Sequence, residues 1–165
     1  MSRNDDYQDT YQNPYLLGFE YSRTESDNGG FLHRDVENNF YRHPRHQGPP
    51  HDSQNEISDI YSLGIVLLEI GLWKTALDLY YQEAPEELSP FNASKRSWPD
   101  LECMQDWFIS VAKKHLALCM GKKYQEAVIR CLSGEFKAKP GQPQFTMEFE
   151  EKVVNIVGLE GLQRA

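Results

Sequence analysis

Several features common in proteins are missing from this sequence, and each absence argues against a class of protein. The three cysteines, at positions 103, 119 and 131, form no Cys-x-x-Cys pair, and their odd count fits a reducing compartment in which thiols serve as small apolar groups. Residues 1–12 are polar and acidic and lack the apolar segment of a signal peptide. The longest apolar stretch, residues 60–73, is shorter than the ~20 residues that span a membrane. We therefore expect an intracellular, cytoplasmic protein with no membrane partner.

Positive charge is also scarce. Lys and Arg number 17 against 25 Asp and Glu, which gives a formal net charge of −8. Proteins grip phosphate backbones through cationic side chains, so this balance predicts no nucleic-acid partner. We interpret the pairs Lys113–Lys114 and Lys122–Lys123 as solvated helix faces with acidic neighbours.

The N-terminal third of the chain has no regular hydrophobic period. Residues 1–12 are predicted to be a disordered tail, and residues 13–57 an irregular region in which Gly-Pro-Pro-His at 48–51 opposes helix formation. Residues 13–22, with the sequence NPYLLGFEYS, form its first apolar and aromatic segment. With the tyrosines before it, this segment contains a cluster of aromatic residues, which is interpreted either as an adhesive N-terminal arm or as an edge left exposed. The cluster consists of Tyr7, Tyr11, Tyr15, Phe19 and Tyr21.

Residues 58–162 have the patterns of a helical domain, so the fold class is mainly α. The run at 60–73 is apolar nearly all round, which indicates a central helix buried on most faces. Ser53 and Glu56 have capping-box spacing before it, and Ser58 or Asp59 offers another N-cap. Helices are predicted near 60–73, with a break at Gly71 into 75–81, and at 100–120, 122–132 and 146–162. The side chains expected to point inward from the last three are Leu101, Met104, Phe108, Val111 and Leu118; Tyr124, Val128 and Cys131; and Phe149, Val153 and Ile156.

The central helix carries a family resemblance. Residues 58–73 (SDIYSLGIVLLEIGLW) resemble the F helix at the centre of the C-terminal lobe of protein kinases, a match carried by Asp59, Tyr61, Ser62, Leu63, Gly64 and Glu69. The resemblance implies that the acidic residue at the start of this helix, Asp59, anchors the backbone of the catalytic loop.

Two flanking stretches extend the resemblance over roughly residues 13–160. His43, Pro44 and Arg45 stand where the activation segment of a kinase ends in Ala-Pro-Glu. Residues 131–140 (CLSGEFKAKP) are similar to the family's later Cys-Leu motif. The amino-acid sequences of these segments resemble those of the kinase-like domains of filamentous fungi that accompany prion-inhibition or heterokaryon-incompatibility modules. The fold implied is a kinase-like C-lobe packed around the helix at 59–73.

The catalytic motifs of that family are not matched. His33-Arg34-Asp35 spells the catalytic triplet, but the fifth residue after Asp35 is Phe40 where the family has a metal-binding Asn. Asp35 also lies only 24 residues before Asp59, too close for a catalytic loop. We interpret Asp35 as a solvated loop charge.

Gly18, Phe19 and Glu20 fit the position of the family's Asp-Phe-Gly better, which would replace the metal-binding Asp by Gly18. We interpret Phe19 as a core aromatic. The sequence therefore predicts no catalytic residue and no cofactor. The alternative is a kinase of unusual layout that binds ATP and Mg²⁺, is completed by a partner chain, and uses Glu20 or Asp35.

Two further constellations bear on the loop before the central helix. In the resemblance, Arg45 and Lys139 stand where the family has a buried Glu–Arg pair. These two cations would repel each other if they met, so the alternative is that Arg45 pairs with an acidic residue such as Glu56 or Asp52. His43, His46 and His51 could hold a metal, but no Cys or acid completes a set at ligand spacing, so we interpret them as surface histidines.

A lobe of this kind without its usual cover exposes part of its central helix. Leu63, Val66, Leu67 and Ile70 would then form an apolar face, which predicts a protein partner, a second copy of the chain or the N-terminal arm as its cover. The function expected is that of a truncated, catalytically degenerate kinase-like domain in protein–protein interaction or signalling. An unrelated all-α adaptor remains a further alternative.

Overall fold

The structure is a computed structural model that describes residues 40–44, 56–85, 88 and 101–158, without the side chains of residues 101 and 102. The predictions for the N-terminal arm, for Gly18, Phe19 and Glu20, and for Asp35, Arg45, His46 and His51 lie outside the described residues. So do the capping role predicted for Ser53 and residue 100, the first residue of the helix predicted at 100–120.

The described residues are mainly helical and contain no strand, which confirms the mainly α class. The helices are α1 (Glu56–Leu72), α2 (Ala76–Glu83), α3 (Leu101–Met120), α4 (Lys122–Ser133) and α5 (Pro143–Phe149). A π-helical stretch, Glu150–Val154, and the short α6, Asn155–Val157, continue α5.

The core lies where α1 meets α3 and α4, and α2 packs against the end of α1. From α1, Tyr61, Ile65 and Leu68 are fully buried, and Phe108 and Leu116 of α3 lie in the same core. The central position predicted for the helix near 59–73 is therefore correct among the described helices.

The ends of α1 differ from the sequence prediction. The helix includes Glu56, so Ser58 and Asp59 lie in its first turn and do not cap it. Gly71 does not break it either: a Cβ at Gly71 would come within 2.5 Å of Leu116 Cδ2, so the missing side chain allows α3 to pack closely. The chain leaves the helix after Leu72.

The buried face of α3 also differs from the prediction, because Leu118 is 89% exposed and Leu116 is buried instead. The turn at Gly121, whose φ is 83°, folds α4 back along the side of α3 where Gln125 Nε2 donates to the carbonyl of Ala112. Leu116 lies on that side, and Leu118 does not.

The C-terminal helix begins earlier than predicted, at Pro143, a residue type suited to the first turn of a helix. Phe145 is buried, Val153 is buried as predicted, and Phe149 and Ile156 are only half-buried. The inward positions predicted for Tyr124, Val128 and Cys131 on α4 are confirmed.

Candidate functional site: the exposed face of α1

Glu69 of α1 joins three parts of the described chain. Its Oε1 accepts a hydrogen bond from the hydroxyl of Tyr41 and another from the backbone N–H of Ala76, each at 2.7 Å. Ala76 is the first residue of α2, where a negative charge is favoured by the helix dipole. Ser62, one turn from the start of the motif, donates through Oγ to the carbonyl of Tyr41 at 2.5 Å. Ser62 and Glu69 thus hold the segment 40–44 on α1.

The neighbours of Tyr41 are also packed onto the helices. The ring of Phe40 lies 5.2 Å from that of Tyr80 and 5.7 Å from that of Phe108. His43 makes an edge contact with Tyr61 at 5.3 Å between ring centroids, and Pro44 is buried. This segment is therefore a fixed edge beside α1.

The two later stretches of the resemblance meet in space. A Cβ at Gly64 would lie 2.9 Å from Cys131 Cβ and 3.1 Å from the backbone N of Leu132, so only glycine permits this approach of α1 to α4. The hydroxyl of Tyr124 donates to the carbonyl of Leu67 at 2.8 Å and adds a second tie between the helices.

The cysteines divide into two environments. Burial raises the pKa of the Cys131 thiol to about 12, so it is a packing group and not a nucleophile. Cys103 and Cys119 are free and exposed, and the expectation that all three thiols serve as small apolar groups is wrong for these two. Each sits on the outer side of α3, whose buried side faces α1 and α4.

Two other residues that carry the resemblance lie in different surroundings, Tyr61 in the core and Asp59 at the surface. Burial raises the pKa of the Tyr61 hydroxyl, whereas Asp59 lies exposed on the first turn of α1. The anchoring role that the resemblance implies for Asp59 concerns a catalytic loop for which the described residues offer no counterpart.

An apolar stripe runs along the outer face of α1. It consists of Leu63, Val66, Ile70 and Trp73, which are 36%, 40%, 50% and 88% exposed. The spacings of three and four residues place Leu63, Val66 and Ile70 in one row on α1, as at the a and d positions of a coiled coil, and Trp73 follows directly after the helix. Leu67 was expected on this face, but it is buried on the α4 side. The apolar stripe is the candidate binding surface.

Trp73 has an unusual backbone. It is the only non-glycine residue with positive φ (55°) in the described part of the chain, and it follows the last residue of α1. The N–H of Lys74 donates to the carbonyl of Glu69 at 3.3 Å, which closes the helix in the manner of a Schellman motif. Glycine usually occupies this left-handed position because a Cβ is disfavoured there. Trp73 was not predicted to be a surface residue, although a tryptophan at the end of a helix, where glycine is expected, is a signal in the sequence.

A cleft of about 520 Å³ lies between segment 40–44, α3 and the loop after α4. Glu148 accepts from the backbone N–H groups of Lys137 and Ala138, and Glu56 from that of Gly141, so the loop wall is held in place. Lys139 lines the cleft together with Pro44, the residue before Arg45. Its charged side chains, Lys137, Lys139 and Asp106, are exposed to solvent, and its lining also includes the apolar side chains of Ile57 and Phe136.

The polar surface of α2 and α3 meets at Glu83. Burial raises the pKa of this carboxyl, but the hydrogen bond and charge of His115, 3.0 Å away, and the charge of Lys114 outweigh that effect and leave the pKa below its usual range. Lys114 lies 3.5 Å from Glu83, and Lys122 lies 4.0 Å from Glu126. The interpretation of the lysine pairs as solvated faces with acidic neighbours fits these contacts.

Within the described ranges, no three His, Cys, Asp or Glu side chains are grouped so as to hold a metal ion. No single described helix has the length and hydropathy of a membrane span, and only α1 and α2 taken together, bent by 71°, reach that composition.

Compared with models of known protein families, with curated proteins and with solved structures, the chain shows no significant match.

Proposed function

We propose that this protein is an interaction module, built on a catalytically degenerate kinase-like C-lobe, that binds an apolar protein segment through the apolar stripe of α1. The observation that carries the proposal is Trp73, a large aromatic side chain that is 88% exposed at a backbone position suited to glycine.

The cost of this arrangement argues for a function. A non-glycine residue in the left-handed region costs about 1–2 kcal/mol, and exposed Trp73 recovers little of it through packing. Local conflicts of this kind concentrate at functional sites, where binding compensates for them. Tryptophan is also among the residues that dominate binding energy at protein interfaces.

The contacts around α1 support the kinase-like part of the proposal. The stretches at 43–45 and 131–140 that extend the resemblance are distant in sequence, and described residues of both pack on the helix that carries its main motif. Glu20 and Asp35, on which the enzymatic alternative depends, lie outside the described residues, and no observation on the others favours it.

The test is selection of binders from a displayed library of amphipathic helical peptides against the purified chain. Binding should be lost in an Ile70→Asp variant, which places a charge in the middle of the apolar stripe, and kept in Leu118→Asp. Leu118 is the matched control because it is a single exposed apolar side chain on α3. Binders that are equally sensitive to both variants, or to neither, contradict the proposal.

A Trp73→Gly variant separates binding from folding. Glycine relieves the left-handed strain, so the free energy of unfolding measured in urea should rise by up to about 1 kcal/mol. Affinity for the selected peptides should fall, by about tenfold or more, because an interface aromatic is lost. A variant that loses stability and affinity together would assign Trp73 to the fold and not to a binding surface.

A further inference from the structure

We infer that the apolar segment bound by the stripe is α1 of a second copy of this chain, and that the two copies pair antiparallel about a twofold axis at Val66. The inference rests on the proposed function and names the partner of that same surface. The distribution of charge and exposed area along α1 selects this partner.

The row that contains Leu63, Val66 and Ile70 continues toward the start of α1. Asp59 and Glu56 follow at the same spacings of four and three residues, and both are exposed. Asp59 makes no hydrogen bond or ion pair within the described part of the chain. One face of α1 therefore begins with two carboxylates and continues with apolar side chains.

The opposite end of the stripe carries lysines. Lys74 follows the stripe directly, and its ammonium and that of Lys114 lie 3.9 and 3.5 Å from the single carboxylate of Glu83. The two lysine side chains are 43% and 68% exposed. The other acid at this end, Asp78, accepts a hydrogen bond from the hydroxyl of Thr75 at 2.7 Å, at the start of α2. The stripe thus lies between an acidic end and an end with exposed lysines.

A surface of this kind is complementary to itself. Asp59 lies seven residues before Val66 and Lys74 eight residues after it, so the two charges flank the centre of the stripe. A twofold axis at Val66 places Asp59 of each copy beside Lys74 of the other, and Leu63 beside Ile70. A parallel pair would place carboxylate against carboxylate, which costs free energy. Twofold dimers, in which one patch contacts the same patch on the other copy, are the commonest oligomers of soluble proteins.

Exposure along the stripe also favours the antiparallel direction. It rises from 36% at Leu63 to 88% at Trp73. In an antiparallel pair the protruding indole of each copy lies over the first turns of α1 in the other, where Asp59 is available to accept from the indole N–H. The most exposed apolar side chain of each copy thereby gains a cover.

The area of the contact predicts a weak, reversible dimer. The four apolar side chains expose on the order of 400 Å² in each copy, most of it from Trp73. The charged side chains Glu56, Asp59 and Lys74 add to this area, so two copies together bury roughly 1,000 Å². That is the lower limit for a specific interface, below the ~1,600 Å² of standard complexes. We expect a dissociation constant in the micromolar range.

The experiment is sedimentation equilibrium of the full-length chain at concentrations from about 1 to 500 µM. The apparent mass should rise from 19.2 kDa toward twice that value. Ile70→Asp should raise the dissociation constant of the dimer at least about a hundredfold, because the twofold axis places the added charge on both copies. Leu118→Asp should leave the constant unchanged. Circular dichroism and a cooperative melt establish that each variant folds.

A charge exchange tests the antiparallel direction. Asp59→Lys should raise the dissociation constant about tenfold, because the new charge faces Lys74 of the other copy, and Lys74→Asp should act in the same way. The double variant should return to within about threefold of the original value, since opposite charges face each other again. In a parallel pair each position faces itself, and neither single change would weaken the dimer.

The outcomes separate the inference from the proposed function. A chain that stays monomeric throughout this range, a dimer that persists in Ile70→Asp, or one that is lost in Leu118→Asp overturns the second copy as the partner. Single charge changes without effect, or a double variant without recovery, overturn the antiparallel arrangement. The proposed function survives each of these results if library-selected peptides still depend on Ile70 and not on Leu118. Loss of that dependence contradicts the proposed function itself.

Discussion

Glu69 shows how one side chain of α1 acts as a structural hub. Its carboxylate accepts from Tyr41 and from the first N–H of α2, so it fixes both the edge segment and the direction in which the chain continues. The side chain is partly buried, and an unmade bond here would leave a donor without its partner. Glu69 therefore positions the segment 40–44 and the start of α2 beside the apolar stripe.

We expect Glu69→Ala to lower the free energy of unfolding by about 1–3 kcal/mol, since the Ala76 N–H and the Tyr41 hydroxyl both lose a charged acceptor. Tyr41→Phe should cost less, about 0.5–1.5 kcal/mol, because the bond to Ala76 survives. Urea unfolding of the two variants and of the double variant measures the coupling. Fully additive losses would show that the Tyr41–Glu69 bond contributes nothing.

At the scale of elements, the close packing of α1 on α4 depends on Gly64. Its surroundings are Cys131 Cβ and the backbone of Leu132, which cannot rotate away. Gly71 has a different environment, because the atom it would meet first is the terminal Cδ2 methyl of Leu116. The same small residue therefore serves a rigid contact at one position and an adjustable contact at the other.

Gly64→Ala should destabilise the protein by a net ~1–2 kcal/mol, because forcing α1 away from α4 outweighs the gain in helix propensity. Gly71→Ala should cost less, since Leu116 can change rotamer. The midpoints of thermal and urea unfolding for the two variants provide the comparison. Equal losses, or a stabilised Gly64→Ala variant, would contradict the assignment of a rigid α1–α4 contact.

At the scale of the whole molecule, the proposed interaction module is expected not to bind nucleotide. A ligand that binds only the folded state stabilises it in proportion to its occupancy, by about 2.7 kcal/mol at a concentration 100 times its Kd. Such binding would raise Tm by several degrees. We expect no saturable shift of Tm with millimolar ATP and Mg²⁺.

Mg²⁺ alone and sodium triphosphate alone serve as controls for ionic effects in that measurement. A saturable rise that requires the complete nucleotide would support the kinase of unusual layout. Repeating the titration with Asp35→Asn and Glu20→Gln would then identify which acidic residue is involved.

Much of the helical framework could be predicted from the amino-acid sequence. The period of α4 placed Tyr124, Val128 and Cys131 inward, and the near-continuous apolar run of α1 indicated its central position; both are confirmed. These predictions succeed because the periodicity of an amphipathic or buried helix is a local property of the chain. Helix ends were less well predicted, since α1 begins at Glu56 and α5 at Pro143, polar or proline positions that precede the apolar pattern of each helix.

The candidate site depended on tertiary structure. An apolar side chain is buried only if a neighbouring element packs over it, and that is decided by turns elsewhere in the chain. The turn at Gly121 buries Leu116 and leaves Leu118 outside, and the approach of α4 buries Leu67 while Ile70 stays exposed. The left-handed Trp73 follows from where α1 ends. The sequence alone determined which residues are apolar and which segments are helical, and the packing of α3 and α4 decided which apolar residues remain free to bind.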